Sequence, residues 1–151
     1  MKFAVATDDK ETIRRAHFGE SRYFCIVDVL AGRPFTQECR QNPVPDHDGP
    51  RKSERILEAL KDCRAFVGRG FGARSLARVA REHKLMLLTA RERVDDAVRD
   101  VQAGNLGWFR RFDPSSGRFV AMEKTPPANR EGRLHASSEH GDPAEERGTW
   151  T

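Results

Sequence analysis

Cysteine is scarce in this chain: Cys25, Cys39 and Cys63 are the three thiols among 151 residues. None are in CxxC spacing, which leaves a zinc ribbon, a thioredoxin-type motif and a ferredoxin-type cluster site all unsupported. An odd thiol count without a leader signature sets the expectation of a reduced, cytoplasmic protein. The opening "MKFAVA" is too short for the apolar region of a signal peptide and runs straight into acids. No apolar run approaches the ~20 residues that a membrane span needs. No internal repeat is visible. No basic stripe is interleaved with aromatics, so a nucleic-acid surface is not expected.

What is present is charge. Hydrophobic residues make up 37% and charged residues 33%, which implies a modest core with a polar appendage. Residues 123–151 hold four Lys/Arg and six Asp/Glu, a net of −2, against +4 for the whole chain. Residues 1–122 therefore carry +6 and suit an anionic partner, such as a phosphate ligand or an anionic metal cluster. The segment 123–151 is rich in Pro, Gly, Ser and charge and is expected to be a disordered tail, with His135 and His140 solvated.

The apolar pattern predicts five strands in the first 106 residues. "KFAVAT" (2–7) reads as a buried strand. "RYFCIVDVL" (22–30) and "PFTQECR" (34–40) flank "AG" and predict a hairpin. With Leu30 opposite Arg33, Phe24 would face Cys39, and Cys25 and Cys39 would point to opposite sides of the sheet. The turn-rich "NPVPDHDGP" (42–50) leads to a helix opened by Pro50, with Ile56, Leu57, Leu60 and Cys63 on one face. "AFVG" (65–68) and "LMLLT" (85–89) are further strands. Between them "ARSLARVAREHK" predicts a helix with Leu76, Val79, Ala80 and His83 aligned. "ERVDDAVRDVQAG" predicts another, striped by Val94, Ala97, Val98 and Val101 and ended by Gly104. The order β-β-β-α-β-α-β-α gives an α/β domain over 1–106: a five-stranded mixed sheet with helices on its faces. A C-terminal extension follows, in which "WFRRFDPSSGRFVAM" (108–122) predicts an extra hairpin within 107–122.

Two loops could hold chemistry, and they are expected to meet at one rim of the sheet if the first and fourth strands are adjacent. "GRGFGA", Gly68 to Ala73, stands between a strand and a helix. Its glycines let backbone amides approach an anion, the helix N-terminus adds partial positive charge, and Arg69 adds a full one. It is a poor dinucleotide fingerprint, because no acid ends the next strand and the chain is too short for a complete domain of that type. The second loop, "HFGES", places His17 between two strands with Arg14, Arg15 and Arg22 nearby. A neutral imidazole ligates iron and other transition metals. One histidine cannot close a mononuclear site, but it can anchor a preformed cluster whose other valences are filled.

Taken in order, "MKFAVATDD", "HFGESRYFCIVDV" and "DCRAFVGRGFGARSLARVAREHKLMLLTARERVDDAVRDVQAGNL" resemble the dinitrogenase iron–molybdenum cofactor biosynthesis family, of the NifX, NafY and C-terminal NifB type. The resemblance covers about residues 1–106. It implies a ribonuclease-H-like mixed sheet, no catalysis, and the binding and carriage of iron–sulfur or iron–molybdenum cluster precursors in nitrogen fixation. Cluster donor and acceptor proteins are the implied partners. His17 falls on the family's HFG histidine and becomes the candidate cluster ligand, with Phe18 and Gly19 beside it. Gly68, Gly70 and Gly72 fall on the family's glycine turn. Arg69 and Phe71 depart from the adjacent glycines usual there and complete the cofactor-binding set.

Two other readings rest on the same residues. One is a small-anion or nucleotide-binding regulatory module built on the Gly68–Ala73 loop. The other is a two-metal nuclease using Asp8 or Asp9 with Asp28, the helices offering only Asp62, Asp95 and Asp96 on or near solvated faces. Ser21 with His17 lacks a nucleophile elbow. Cys25 and Cys63 read as core thiols, Cys39 with His47 as a secondary ligand pair, and His83 as a helix-end cation.

Overall fold

The computed structural model describes residues 1–29, 36–44 and 51–122. Its strands are β1 (Lys2–Thr7), β2 (Tyr23–Asp28), β3 (Thr36–Gln41), β4 (Ala65–Gly68), β5 (Leu85–Thr89), β6 (Phe109–Asp113) and β7 (Arg118–Ala121). The helices are α1 (Lys52–Ala59), α2 (Ala73–Arg81) and α3 (Val94–Ala103). One mixed sheet runs in the order β3-β2-β1-β4-β5-β6-β7. Strands β1, β4 and β5 are parallel, and every other neighbouring pair is antiparallel.

The sheet has seven strands, not five. The five expected from the apolar runs form β3 to β5, and β6 and β7 extend the same sheet from β5. "FRRFD" hides this role, because two adjacent arginines interrupt its apolar pattern in a strand that is mostly only half-buried. The segment 123–151 lies outside the described residues, as do the Leu30–Arg33 turn and His47.

The central strands are apolar on both faces because both faces are covered. On one face Ala4, Phe24, Ile26, Phe66 and Met86 pack with Ile56 of α1 and Val79 of α2. On the other, Phe3, Val5, Val27, Val67 and Leu87 pack with Val94, Ala97 and Val98 of α3. Gly104 ends α3 with φ 74°, as its position predicts. Helix α2 ends at Arg81, and His83 takes a left-handed φ of 61° just beyond it. His83 is therefore exposed rather than part of the apolar stripe. Helix α1 ends at Ala59, yet Leu60 and Cys63 are both fully buried, and burial pushes the Cys63 thiol up to about 11.

The hairpin register differs by one residue from the one expected. Cys25 pairs with Cys39 and Phe24 with Arg40, so the two cysteines share a face. Outer strand β3 is tied down by Arg40, whose guanidinium grips Asp62 with two bonds of 2.8 Å. Lys2 adds a third contact to the Asp62 carboxylate at 3.2 Å.

The Arg40 bonds hold the Asp62 carboxyl well below the usual carboxylate range. A depressed folded-state pKa stabilises above the unfolded value of about 3.9, and that contribution drains away as pH falls below it. Asp62→Asn should cost about 0.5–1 kcal/mol at neutral pH, the scale of a solvent-screened bidentate pair. It should also flatten the acid limb of a urea-denaturation pH series. An unchanged acid limb would mean that the pair does not stabilise the edge.

Candidate functional site

Chain direction places the candidate site. In an open parallel sheet, ligands bind beyond the carboxyl ends of the strands. The loops leaving β1, β4 and β5 all emerge there. The loop after β1 is the longest of these and is pinned near its middle. Ile13 is buried, and its amide donates to the Glu92 carbonyl at 2.8 Å. The Arg14 amide donates to the Ala6 carbonyl at 2.9 Å.

Phe18 anchors the rest of this loop. Its ring is buried among Phe24 and Phe66, with centroids at 5.0 Å from each, and Phe71 at 5.3 Å. Its amide donates to the Gly70 carbonyl at 2.9 Å, joining the "HFG" loop directly to the glycine loop. Gly70 is required by close approach, not by its backbone angles. A Cβ there would stand 3.1 Å from the Ala16 carbonyl oxygen, which is backbone and cannot swing away. Gly70→Val should therefore destabilise the protein by about 1–3 kcal/mol in chemical denaturation, the cost of overpacking a fixed contact. A neutral effect would show the two loops to be free of one another.

His17 is the exposed counterpart of buried Phe18. Its side chain is 53% exposed, and Nδ1 lies 3.9 Å from the Glu20 carboxylate. On the other side the ring borders Gly72, where a Cβ would be 3.6 Å from Nδ1. Gly72 precedes α2 and offers no side chain to cap its first amides. An imidazole, an uncapped helix start and a glycine turn thus share one rim.

The surrounding charges are unequal. Arg14 is committed to Asp8 at 2.7 Å and lies 3.7 Å from Glu20, so its charge is largely balanced. Arg15 is exposed and Arg69 half-buried, and neither forms an ion pair with the described residues. Phe71 faces inward and stacks at 5.8 Å on Phe119 of β7, so it lines the rim from beneath. Gly19 is half-buried, and its carbonyl accepts from Asn42 at 2.9 Å. The roles of Asn42 and Phe119 are not visible in the local sequence. Asn42 reads as a turn residue, and Phe119 reaches the site only because β7 closes the far side of the sheet.

Other residues singled out in the sequence are engaged elsewhere. Asp9 caps its own turn, accepting from the Glu11 and Thr12 amides at 2.9 and 2.7 Å. Those amide bonds, that of Thr12 foremost, hold its carboxyl down at about 2. Asp8 accepts from Arg14 and from the Arg22 amide. Asp28 is paired with Lys2 at the opposite end of β1, roughly five residues or ~17 Å of strand away. The acids do not converge as a two-metal nuclease requires. Ser21 is buried with its hydroxyl 3.1 Å from the Phe18 carbonyl and 3.0 Å from that of Tyr23, so it is not presented to His17 as a nucleophile. Among the described residues, no three His, Cys, Asp or Glu side chains gather as a metal-ion site. No described helix is long and apolar enough to cross a membrane.

Comparison with known proteins bears on this geometry. The family model described as dinitrogenase iron-molybdenum cofactor matches residues 1–104. Among solved structures, the chain is similar to the protein PH0822, with a TM-score of 0.57 at 21% identity over 69% of this chain and 92% of that one. It is similar to a candidate dinitrogenase from Methanocaldococcus jannaschii, with a TM-score of 0.54 at 13% identity over 83% and 97% of the two chains. A candidate NifB protein from Thermotoga, assigned to the DUF35 family, gives a TM-score of 0.52 at 14% identity over 84% and 97%. At these identities the likeness concerns the fold. No protein of curated function is matched.

Proposed function

The chain belongs to the dinitrogenase iron-molybdenum cofactor family, and from that membership we propose that it is a non-catalytic carrier of an iron–sulfur or iron–molybdenum-type cluster, or of its precursor. The observation that carries this reading is the pairing of exposed His17 with the α2 start, held in place by the bond from the Phe18 amide to the Gly70 carbonyl. His17 supplies the one protein ligand. The amides near Gly72, with Arg15 and Arg69, offset the negative charge of the cargo. Holding by one imidazole and diffuse charge permits release to an acceptor, which a closed four-thiolate cage would oppose. Cluster donor and acceptor proteins in the cytoplasm complete this reading. It also includes a ribonuclease-H-like core, which is supported by the way β2 alone runs against its neighbours in the order β3-β2-β1-β4-β5.

The test is anaerobic incubation of the full chain with iron and sulfide, with and without molybdate, followed by gel filtration and metal analysis. Iron and sulfide co-eluting with the protein are expected. A metal-free protein whose melting temperature instead rises with phosphate or nucleotide would replace the carrier with the anion-binding module on Gly68–Ala73. The uncapped α2 start and Arg69 are what favour that second reading.

A further inference from the structure

The β2–β3 register brings together two thiols that cluster carriage does not use. Cys25 and Cys39 are direct cross-strand partners, and their sulfur atoms stand 3.4 Å apart. The Asn42 amide donates to the Arg22 carbonyl at 2.9 Å, which makes Arg22 and Asn42 a hydrogen-bonded pair. Alternation along the ladder then makes Cys25 and Cys39 a non-hydrogen-bonded pair, whose Cα atoms lie at about 4.5 Å. That spacing falls within the range that a disulfide spans.

The two thiols differ in access. Cys25 is fully buried in the α3-facing core, whereas Cys39 is exposed on the outer strand. Burial, followed by the adjacent Cys39, pushes the Cys25 thiol up to about 12. Lys10 acts in the opposite direction and Asp95 in the same one. Cys39 is therefore the thiol that meets a reagent first, and Cys25 is the one placed to displace it.

We infer that Cys25 and Cys39 form a reversible dithiol–disulfide site that reacts with small disulfides of the glutathione class. The Cys39 thiolate attacks one sulfur of the small disulfide. That S–S bond breaks, one small thiolate leaves, and a mixed disulfide forms on Cys39. Cys25 then attacks the Cys39 sulfur, its proton passing to the second small thiolate as that thiolate leaves. Two protein thiols are oxidised to one cross-strand disulfide, and one small disulfide is reduced to two thiols. The neighbouring sulfur at contact distance makes the mixed disulfide short-lived, and the product fastens β3 to β2.

Incubating the full chain with oxidised glutathione at mildly alkaline pH, then measuring intact mass and mapping peptides, tests this. The wild type is expected to lose the mass of two hydrogens, to link Cys25 to Cys39, to leave Cys63 free, and to melt at a higher temperature. Cys25→Ala is expected to stop at a stable glutathione adduct on Cys39, and Cys39→Ser to take up no glutathione. A wild type that accumulates the adduct, links through Cys63, or does not react would overturn the inference. The readout is independent of cluster binding, so its failure leaves the carrier reading where it stood.

Discussion

Phe18→Ala should destabilise the protein by about 3–5 kcal/mol, the cost of truncating a buried aromatic ring. The ring is buried and contacts three other phenylalanines at 5.0–5.3 Å. Truncation removes the transfer free energy of a whole aromatic ring, about 1.5–3 kcal/mol, and leaves a cavity. That cavity cannot collapse easily, because its walls are Phe24 and Phe66 on neighbouring parts of one rigid sheet. Phe71 then loses its stacking on Phe18 and, among the described residues, keeps that on Phe119. Guanidinium denaturation of the pair of proteins measures the effect. The same variant should speed hydrogen exchange at the residue-18 amide, which donates to Gly70. Phe112→Ala, at a partly buried ring on the edge of the same aromatic group, should cost less. A Phe18→Ala loss below about 1 kcal/mol would mean that the loop is not anchored by this ring.

His17→Ala should produce the opposite combination: a large loss of cluster retention with almost no loss of fold. Its side chain is 53% exposed, borders Gly72, and lies 3.9 Å from the Glu20 carboxylate. A surface substitution of that kind changes stability by no more than about 0.5 kcal/mol. If the imidazole is the one protein ligand, its removal should weaken retention at least tenfold, or by about 1.4 kcal/mol. Iron retained per chain after anaerobic gel filtration, compared between wild type and variant at equal melting temperature, reads this directly. Normal retention by the variant would remove His17 from the ligand role. Comparison with Phe18→Ala separates a chemical contribution from an architectural one, since the two residues are adjacent but face opposite directions.

Legibility in the sequence followed burial. "KFAVAT", "AFVG" and "LMLLT" stand out because strands covered on both faces must be apolar throughout. Gly104 marks a helix end because a left-handed residue is needed there. "FRRFD" did not read as part of the main sheet, since a half-buried strand retains its arginines. The cysteine pairing was also illegible. A one-residue slip reverses the face of every side chain, and the register depends on the connecting turn rather than on the strands alone. At the site, "HFG" and "GRGFG" were each visible, and so was their meeting at one rim, which follows once strands one and four are neighbours. The contributions of Asn42 and Phe119 were not visible.

Composition and local pattern alone determined a basic α/β domain with thiols too few and too scattered for a cage, a histidine in a glycine-bearing loop, and a glycine turn opening a helix. Those properties follow from periodicity, capping and backbone freedom, each acting over a few residues. Tertiary structure alone decided that the sheet runs to seven strands, that Cys25 meets Cys39, and that Asn42 and Phe119 reach the loops of the site. Each of these depends on which distant segments pack together, and that is settled by the burial of Phe18 and its neighbours across the whole sheet.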